Sequence, residues 1–172
     1  MTGPVKNRRL SHLDSRGRAG MVDVGRKPVT ERRAVAGCEV RMRPETLELL
    51  WKGPLPKGDA FAAARIAGVL AAKKTPELVP LCHPLPLDHI EIRFSDLAQG
   101  DGVSIECEVR ASARTGVEME ALTGAMGAAL TIYDMAKGGD PAMVITDLHL
   151  IQKRGGKSDY DSSHQGRNHQ RQ

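Results

Sequence analysis

The chain has 172 residues, of which 40% are hydrophobic and 27% are charged, a composition typical of a soluble domain with its own core. No apolar run approaches the roughly 18 residues that a membrane-spanning helix requires. Three widely spaced cysteines without a Cys-x-x-Cys pair argue against a disulfide framework. We therefore expect one cytoplasmic domain over residues 19–160, with no secretory signal and no membrane partner.

The net charge of +4 is distributed unevenly. Residues 1–33 carry nine basic and three acidic side chains, and residues 153–172 carry five and two, so the middle of the chain is acidic. Basic ends of this kind favour an anionic partner, either nucleic acid or a small ligand. Only 3% of the residues are aromatic, which leaves few stacking platforms for single-stranded nucleic acid. A small anionic ligand therefore fits better.

Hydrophobic periodicity and the positions of Gly and Pro predict the secondary structure. In chain order, the predicted elements are strands at 21–24 and 30–42, helices at 44–50 and 60–73, strands at 89–94 and 103–113, a helix at 118–137 and a strand at 143–151. This βαββαβ order, with a leading strand and an extra helix, predicts an α+β, ferredoxin-like fold: an antiparallel sheet with helices packed on one face. Residues 1–18 are expected to be a flexible basic segment, and 161–172 a disordered tail.

The helix predicted over residues 118–137 carries charge at both ends, with Glu118 and Glu120 at its start and Asp134 and Lys137 at its end. Glu120 and Asp134 share one face. The members of that face between them are Gly124, Gly127 and Thr131. At about 1.5 Å per residue the two carboxylates lie roughly 21 Å apart, too far to act on one small group. Two such helices packed antiparallel through the small middle residues would bring them together, which predicts a cleft at a subunit interface. A core helix whose charged ends simply reach water is the alternative, and Asp134 and Lys137 would then form only a helix-end ion pair.

Lysines near glycines and a helix start are candidates for binding phosphate. Lys57 lies in a loop just before a helix N-terminus, where the helix dipole lowers the pKa of a lysine and also attracts phosphate. A solvated loop lysine is the alternative. Lys153 and Lys157 flank a Gly-Gly loop that is suited to phosphate but lacks the spacing of a P-loop.

Prolines bracket Cys82 and His83 and restrict the backbone around them. A rigid His83 can serve as an acid, a base or a phosphate contact. A purely structural role for the Cys-His pair is an alternative. A metal site that also uses His89 is another, although adjacent residues make chelation of one metal by Cys82 and His83 awkward.

Seven segments, in order along the chain, resemble one family. They read MVDV (21–24), KGD (57–59), ARIAG (64–68), PLCHPL (80–85), TGVEMEALT (115–123), IYDM (132–135) and GGKS (155–158). On these segments the chain resembles the cyclic pyranopterin monophosphate synthases, the family of molybdenum cofactor biosynthesis protein C. The resemblance covers roughly residues 10–160.

The resemblance implies a lyase-type cyclisation. Its substrate would be (8S)-3′,8-cyclo-7,8-dihydroguanosine 5′-triphosphate, a GTP derivative, and its products cyclic pyranopterin monophosphate and pyrophosphate. It also implies a homohexamer, a trimer of dimers with sites at the dimer interface, and neither a nucleic-acid partner nor a dedicated metal; a need for Mg²⁺ is left open. Rearranging a guanine-derived ring requires repeated proton transfers, for which lysines of near-neutral pKa are suited.

The resemblance further implies roles for individual residues. Asp134 takes the position of the family's catalytic aspartate, and Lys57 and Lys137 match lysines that move protons. The residues implied to bind substrate are Leu81, Cys82, His83, Glu118, Met119 and Glu120, with Arg32, Lys153 and Lys157 near the triphosphate. The chain departs from the family at Gly124, Gly127 and Ala136, where bulkier residues or cysteine are usual, and we interpret these as packing changes.

Two functions of other classes stay open on the sequence. One is a ferredoxin-like module that senses nucleotides without catalysis, which would bind a nucleotide and form no product. The other is RNA binding through the basic ends, which would weaken steeply with added salt.

Overall fold

The computed structural model describes residues 18–53 and 58–162. The elements in these ranges are β1 (Thr30–Arg41), α1 (Pro44–Lys52), α2 (Ala60–Lys73), α3 (Thr75–Leu78), β2 (His89–Asp96), β3 (Gly102–Ala113), α4 (Glu118–Ala136), β4 (Val144–Arg154) and β5 (Tyr160–Asp161). The predicted elements from residue 30 onward are therefore present, with ends that differ by a few residues. Among the described residues, no helix is long and apolar enough to cross a membrane.

The five strands form one antiparallel sheet in the order β2-β3-β1-β4-β5. β1 lies in the centre and pairs along its whole length with β3, with Ala36 opposite Cys107. The first four strands in chain order follow the βαββαβ connection, so the predicted ferredoxin-like α+β fold is confirmed. The sheet places the start of β1 and the end of β4 beside the start of α4, where the candidate site lies.

Alternation along the strands decides which face of the sheet carries the helices. On β1, Ala34, Ala36, Cys38 and Val40 point to one face and are buried. Helix α4 packs on this face, with Ala121, Ala125 and Ala128 fully buried. The Cys38 thiol donates a hydrogen bond to the Ala125 carbonyl oxygen at 3.6 Å, so small side chains keep the helix close to the strand.

The small face of α4 is covered by α2 of the same chain. A Cβ atom built on Gly124 would lie 2.6 Å from Cys107 Sγ and 3.3 Å from the Gly68 carbonyl oxygen, and one on Gly127 would lie 2.5 Å from Ala71 Cβ. The prediction that two α4 helices approach each other through these glycines is therefore wrong. The glycines instead let α2 and α4 pack closely over the sheet.

The predicted strand at 21–24 does not form. Asp23 accepts a hydrogen bond from the Gly25 N–H at 2.8 Å, and the Lys27 N–H donates to the Val24 carbonyl at 3.0 Å. A side chain that accepts a hydrogen bond from the backbone N–H two residues later favours a turn over a strand. Val22 and Val24 remain half-buried and line a cleft described below.

Three predictions concern residues outside the described ranges. They are the flexible segment predicted at 1–18, of which only Arg18 is described; the loop position of Lys57; and the disordered tail predicted at 161–172, of which only residues 161 and 162 are described. Asp161, at the predicted start of that tail, belongs to β5 and pairs with Gln152.

Candidate active site

The first turn of α4 borders a cleft of about 390 Å³. Six residues expected to bind substrate line it together: Leu81, Cys82, His83, Glu118, Met119 and Glu120. The cleft therefore joins the proline-framed segment before β2 to the start of the long helix, although the two lie far apart in sequence. Val22 and Val24 line the same cleft and supply apolar surface that the sequence did not predict for it.

Local backbone bonds hold the Cys82-His83 segment. The Val79 N–H donates to the Thr75 carbonyl at 2.9 Å and the Cys82 N–H donates to the Val79 carbonyl at 3.0 Å, which closes a turn at the end of α3. The side chains of Leu85 and Leu87 then pack against the core. Since prolines restrict the remaining backbone angles, Cys82 and His83 are presented from a fixed support.

The electrostatics of this cleft are dominated by a buried carboxyl group. Glu120 is 3% exposed, and this burial raises its pKa; the negative charge of Glu118 raises it further, against a hydrogen bond from its own backbone N–H. Burial, and then the proximity of Glu120, also raise the pKa of the Cys82 thiol. A carboxyl group with raised proton affinity can donate a hydrogen bond or hold a proton for transfer.

A second, basic cleft of about 190 Å³ adjoins the first. The two clefts share Lys27, Thr115, Gly116 and Glu118. Seven cationic residues line the basic cleft: Lys27, Arg32, Arg33, Arg114, Lys153, Arg154 and Lys157. It thus brings together Arg32, Lys153 and Lys157, the three residues expected near a triphosphate, and such a concentration of positive charge attracts polyphosphate.

Backbone contacts fix the geometry of the basic cleft. Arg32 donates from Nε to the Ala113 carbonyl at 3.2 Å and from Nη2 to the Arg114 carbonyl at 3.4 Å. Gly155 has a φ of 84°, and a Cβ atom there would overlap the Glu31 carbonyl oxygen. This turn therefore requires glycine, and the close approach sets Gly156 and Lys157 beside Arg32.

Lys27 and Arg114 were missed as candidate site residues. Both line the basic cleft, but neither belongs to a spacing pattern that suggests a phosphate site. The available signal was the excess of basic residues over 1–33, which indicated an anionic partner without selecting a particular lysine.

The opposite end of α4 carries an exposed ion pair. Lys137 Nζ lies 2.6 Å from Asp134 Oδ1, with the two side chains 53% and 54% exposed. The hydrogen bond and the charge of Asp134 raise the pKa of Lys137, so its side chain is an ammonium ion at neutral pH. The expectation of a near-neutral pKa for Lys137 does not hold here, because the carboxylate stabilises the charged form and little burial opposes it.

This end of the helix is anchored to α1 through Asp140. The carboxylate is 2% exposed and accepts hydrogen bonds from the Arg43 N–H and the Thr46 hydroxyl, both at 3.0 Å. The hydrogen bond from the Arg43 backbone N–H is the main reason why the pKa of Asp140 lies below its usual range, and the bond from the Thr46 hydroxyl lowers it further. An apolar groove of about 510 Å³, lined by Leu49, Leu50 and the last turn of α4, lies beside the ion pair.

One chain does not bring the two ends of α4 together. With about 1.5 Å of rise per residue, Glu120 and Asp134 are roughly 21 Å apart along the helix. The binding residues predicted at the N-terminal end thus meet in two adjoining clefts, whereas the predicted catalytic pair Asp134 and Lys137 lies elsewhere. Lys57 falls outside the described residues.

The alternative metal site is not formed by the described part of the chain. Within residues 18–53 and 58–162, no group of three or more His, Cys, Asp or Glu side chains is placed to hold a metal ion. His83 lines the first cleft, whereas His89 lies on β2 opposite Arg110 and borders a different depression.

Comparison with known proteins connects this geometry to a family. The sequence model of the MoaC family matches residues 21–156. Proteins named cyclic pyranopterin monophosphate synthase are similar over most of their length. The relative from Pelotomaculum thermopropionicum is 57% identical over 149 residues, which are 87% of this chain and 88% of the relative. That from Chloroflexus aggregans is 55% identical over 158 residues, 92% and 94% of the two chains.

A third relative of the same name, from Herpetosiphon aurantiacus, is 56% identical over 147 residues, covering 86% of this chain and 90% of its own. The region matched by the family model contains the whole of α4 and every residue that lines the two clefts except Lys157. The family resemblance predicted from the seven segments is thereby confirmed, and the chain belongs to the MoaC family.

Proposed function

We propose that this protein is a cyclic pyranopterin monophosphate synthase of molybdenum cofactor biosynthesis. In this reaction (8S)-3′,8-cyclo-7,8-dihydroguanosine 5′-triphosphate becomes cyclic pyranopterin monophosphate and pyrophosphate, a lyase-type cyclisation. The observation that carries the proposal is the pair of adjoining clefts at the first turn of α4. One cleft holds a buried carboxyl group beside Cys82 and His83, and the other is strongly basic.

The two clefts suit the two parts of such a substrate. The guanine-derived ring would lie in the first cleft, between the apolar side chains of Leu81 and Met119. The Glu120 carboxyl, protonated more readily than usual, would exchange hydrogen bonds with the amide edge of the ring, and His83 would contact it from the opposite wall. The triphosphate would extend past Glu118 into the basic cleft, toward Arg32, Lys153 and Lys157.

The basic cleft would serve the phosphate chemistry. Formation of the cyclic phosphate is an intramolecular displacement, in which the 2′-oxygen attacks the α-phosphorus and the bond to pyrophosphate breaks. Such a step is accelerated by holding the attacking oxygen in line and by cations that take up charge on the leaving group. We expect the lysines and arginines to supply that charge without a dedicated protein-bound metal, and any Mg²⁺ to accompany the triphosphate.

The proton transfers of ring opening and reclosure would use Asp134, Lys137 and Lys57. Because Asp134 and Lys137 are far from the first cleft of their own chain, they would reach the cleft of a second subunit in a homohexamer built as a trimer of dimers. Burial at that interface would lower the pKa of Lys137 from its raised value. The lysine would then give up its proton more easily than in the exposed pair.

The decisive experiment uses purified protein and the 3′,8-cyclised GTP derivative. We expect stoichiometric pyrophosphate and pyranopterin, and Lys57→Ala should abolish both while the protein stays folded. Saturable nucleotide binding without any product would instead support the sensing module. Tight RNA binding that weakens steeply with salt and is reduced on deletion of residues 161–172, again without product, would support the RNA-binding alternative.

Subunit complementation tests whether the site is shared. Glu120→Gln and Asp134→Asn each damage a different end of α4, so each homo-oligomer should keep at most about one hundredth of the wild-type activity. After co-refolding, mixed dimers would contain one intact site, and random mixing should restore about a quarter of the wild-type activity. Mixing either variant with the Glu120→Gln/Asp134→Asn double variant gives the background. Activity no higher than this background, with subunit exchange verified by mass, would refute a shared site.

A further inference from the structure

Glu118 occupies the boundary between the two clefts and pairs with a lysine of the basic one. Its carboxylate Oε1 lies 3.5 Å from Lys153 Nζ, and both side chains are about one third exposed, 31% and 34%. A Cβ atom on Gly116 would overlap the Glu118 carboxylate. Glycine at position 116 therefore leaves room for the carboxylate to fold back toward Lys153.

Glu118 differs in charge from the other groups of the basic cleft. Of the residues that line this cleft, all within the described ranges, Glu118 alone carries a carboxylate. Arg32 is bound to the backbone carbonyls of Ala113 and Arg114, and Arg154 to the carboxylates of Asp159 and Asp161. Lys153 is held by the Glu118 carboxylate, which itself faces the cleft, so this pair can separate without disturbing the fold.

We infer that Glu118 is an internal counter-ion of the phosphate subsite. It neutralises Lys153 when the cleft is empty, releases Lys153 to a phosphate oxygen of the ligand, and takes it back as pyrophosphate leaves. The inference rests on the proposed function for the identity of the ligand, but the ion exchange itself applies to any di- or triphosphate. No covalent bond changes in this step.

Competition between carboxylate and phosphate has a definite energetic direction. A polyphosphate must displace Glu118 from Lys153 and then lies close to a like charge, so the carboxylate weakens its binding. The weakening applies to the pyrophosphate product as well as to the substrate, and it therefore favours product release. The negative charge of Glu118 also raises the pKa of Glu120. When Lys153 moves from Glu118 to a phosphate, its positive charge no longer screens Glu118. Occupancy of the basic cleft would therefore favour the protonated form of Glu120.

Calorimetric titration with pyrophosphate alone tests the inference. Glu118→Gln should bind pyrophosphate about fivefold to tenfold more tightly than wild type at low salt, with a smaller gain at high salt. Lys153→Gln should bind more weakly. In the Glu118→Gln/Lys153→Gln double variant the gain from removing Glu118 should largely disappear, because there is no ammonium left to release.

Glu31→Gln is the matched control. Glu31 is adjacent to Arg32 in sequence and exposed, but it lines a different depression; its removal changes the net charge by the same amount and should change pyrophosphate affinity less than twofold. Equal or weaker binding by Glu118→Gln, or an equal gain in Glu31→Gln, would overturn the counter-ion role. Glu118→Ala repeats the test with a smaller side chain if the amide forms a new hydrogen bond to phosphate.

Failure of this inference can be told apart from failure of the proposed function. Tighter pyrophosphate binding by Glu118→Gln without turnover of the cyclised GTP derivative would support the counter-ion and refute the proposed enzyme. Turnover by wild type together with an unchanged inhibition constant for pyrophosphate in Glu118→Gln would support the enzyme and refute the counter-ion.

Discussion

The two ends of α4 carry similar charged groups in opposite surroundings. At the N-terminal end, Glu120 is almost fully buried beside a cleft lined by residues of its own chain, and burial raises its pKa. At the C-terminal end, Asp134 and Lys137 form an ion pair that is more than half exposed, and the carboxylate raises the pKa of the lysine. At the first end the buried carboxyl group lines a polar cleft, whereas at the second the exposed ion pair borders an apolar groove of about 510 Å³. The same helix therefore carries a buried carboxyl group with a raised pKa at one end and a solvent-exposed ion pair at the other.

The largest expected effect comes from the exposed end. If the pair carries the proposed proton transfer, Lys137→Ala and Asp134→Asn should each lower turnover by at least about a thousandfold. Both side chains are exposed on the single chain and lie outside its core, so each variant should still fold and unfold cooperatively. Turnover and thermal unfolding measured on the same preparations check this.

Lys52→Ala is the control for the exposed pair. Lys52 forms an exposed ion pair with Glu48 at i,i+4 on α1, so the variant removes a similar surface interaction and should keep wild-type activity. If Lys137→Ala is equally active, the pair at the end of α4 is only a surface ion pair, and the contrast between the two ends loses its functional meaning.

The next effect concerns the buried end. Glu120→Gln keeps the shape of the side chain but removes its proton, and should lower turnover about a hundredfold. It should also stabilise the protein at neutral pH. Because the folded pKa of Glu120 lies above its unfolded value, the folded state binds the proton more tightly, and wild-type stability falls as pH rises from the unfolded pKa through the folded one.

Urea unfolding of wild type and Glu120→Gln between about pH 4 and pH 8 measures this dependence. The difference in free energy of unfolding should grow in favour of the variant as pH rises through this window and then level off. A variant that is less stable than wild type at pH 8 would show that the ionised carboxylate is stabilised in the cleft, against the burial argument.

A smaller effect is expected where the exposed end is anchored. Asp140→Asn weakens the hydrogen bonds to the Arg43 N–H and the Thr46 hydroxyl, and should lower Tm by several degrees. The folded pKa of Asp140 is depressed, so its stabilisation is present above the unfolded pKa near 4 and is lost as pH falls through the folded one. Thermal unfolding at pH 7 and at pH 3 should therefore show a large difference between wild type and variant only at pH 7.

The smallest expected effect is a difference in the rates at which the three cysteines are alkylated. Burial raises the pKa of Cys38 and of Cys107 to about 12, so iodoacetamide at pH 8 should leave both unmodified in the folded protein. Cys82 is half-buried in the first cleft and should react slowly, and the cyclised GTP derivative should protect it. Peptide mass analysis with and without this ligand distinguishes the sites, and labelling of Cys107 at the rate of Cys82 would contradict the burial of the core.

Most of the fold could be predicted because its signals are periodic. The alternation of Ala34, Ala36, Cys38 and Val40 identified the central strand, and Asp59, which accepts a hydrogen bond from the Ala62 N–H at 3.0 Å, identified the start of α2. The strand predicted at 21–24 was wrong because an alternation of only four residues is too short to outweigh the turn that Asp23 stabilises.

Several residues that line the first cleft could be selected from the sequence, but the packing around α4 could not be predicted. The motif at 115–123 selected Glu118, Met119 and Glu120, and the structure brings them together with the Cys82-His83 segment. The small face of α4 was assigned to a second subunit, because a run of Gly and Ala shows that something packs closely without showing what. Lys27 and Arg114 could not be selected, since their roles depend on how the end of β3 and the turn before β1 meet in space.

The length of α4 has a consequence of its own. An α-helix turns through about 100° and advances about 1.5 Å with each residue, and α4 runs without interruption from Glu118 to Ala136. Insertion or deletion of one residue between Glu120 and Asp134 would rotate Asp134 and Lys137 by about 100° around the helix axis relative to Glu120. A seven-residue change would restore the direction but displace them by about 10 Å. Natural variants of this protein should consequently show substitutions along the helix but no gain or loss of residues within it.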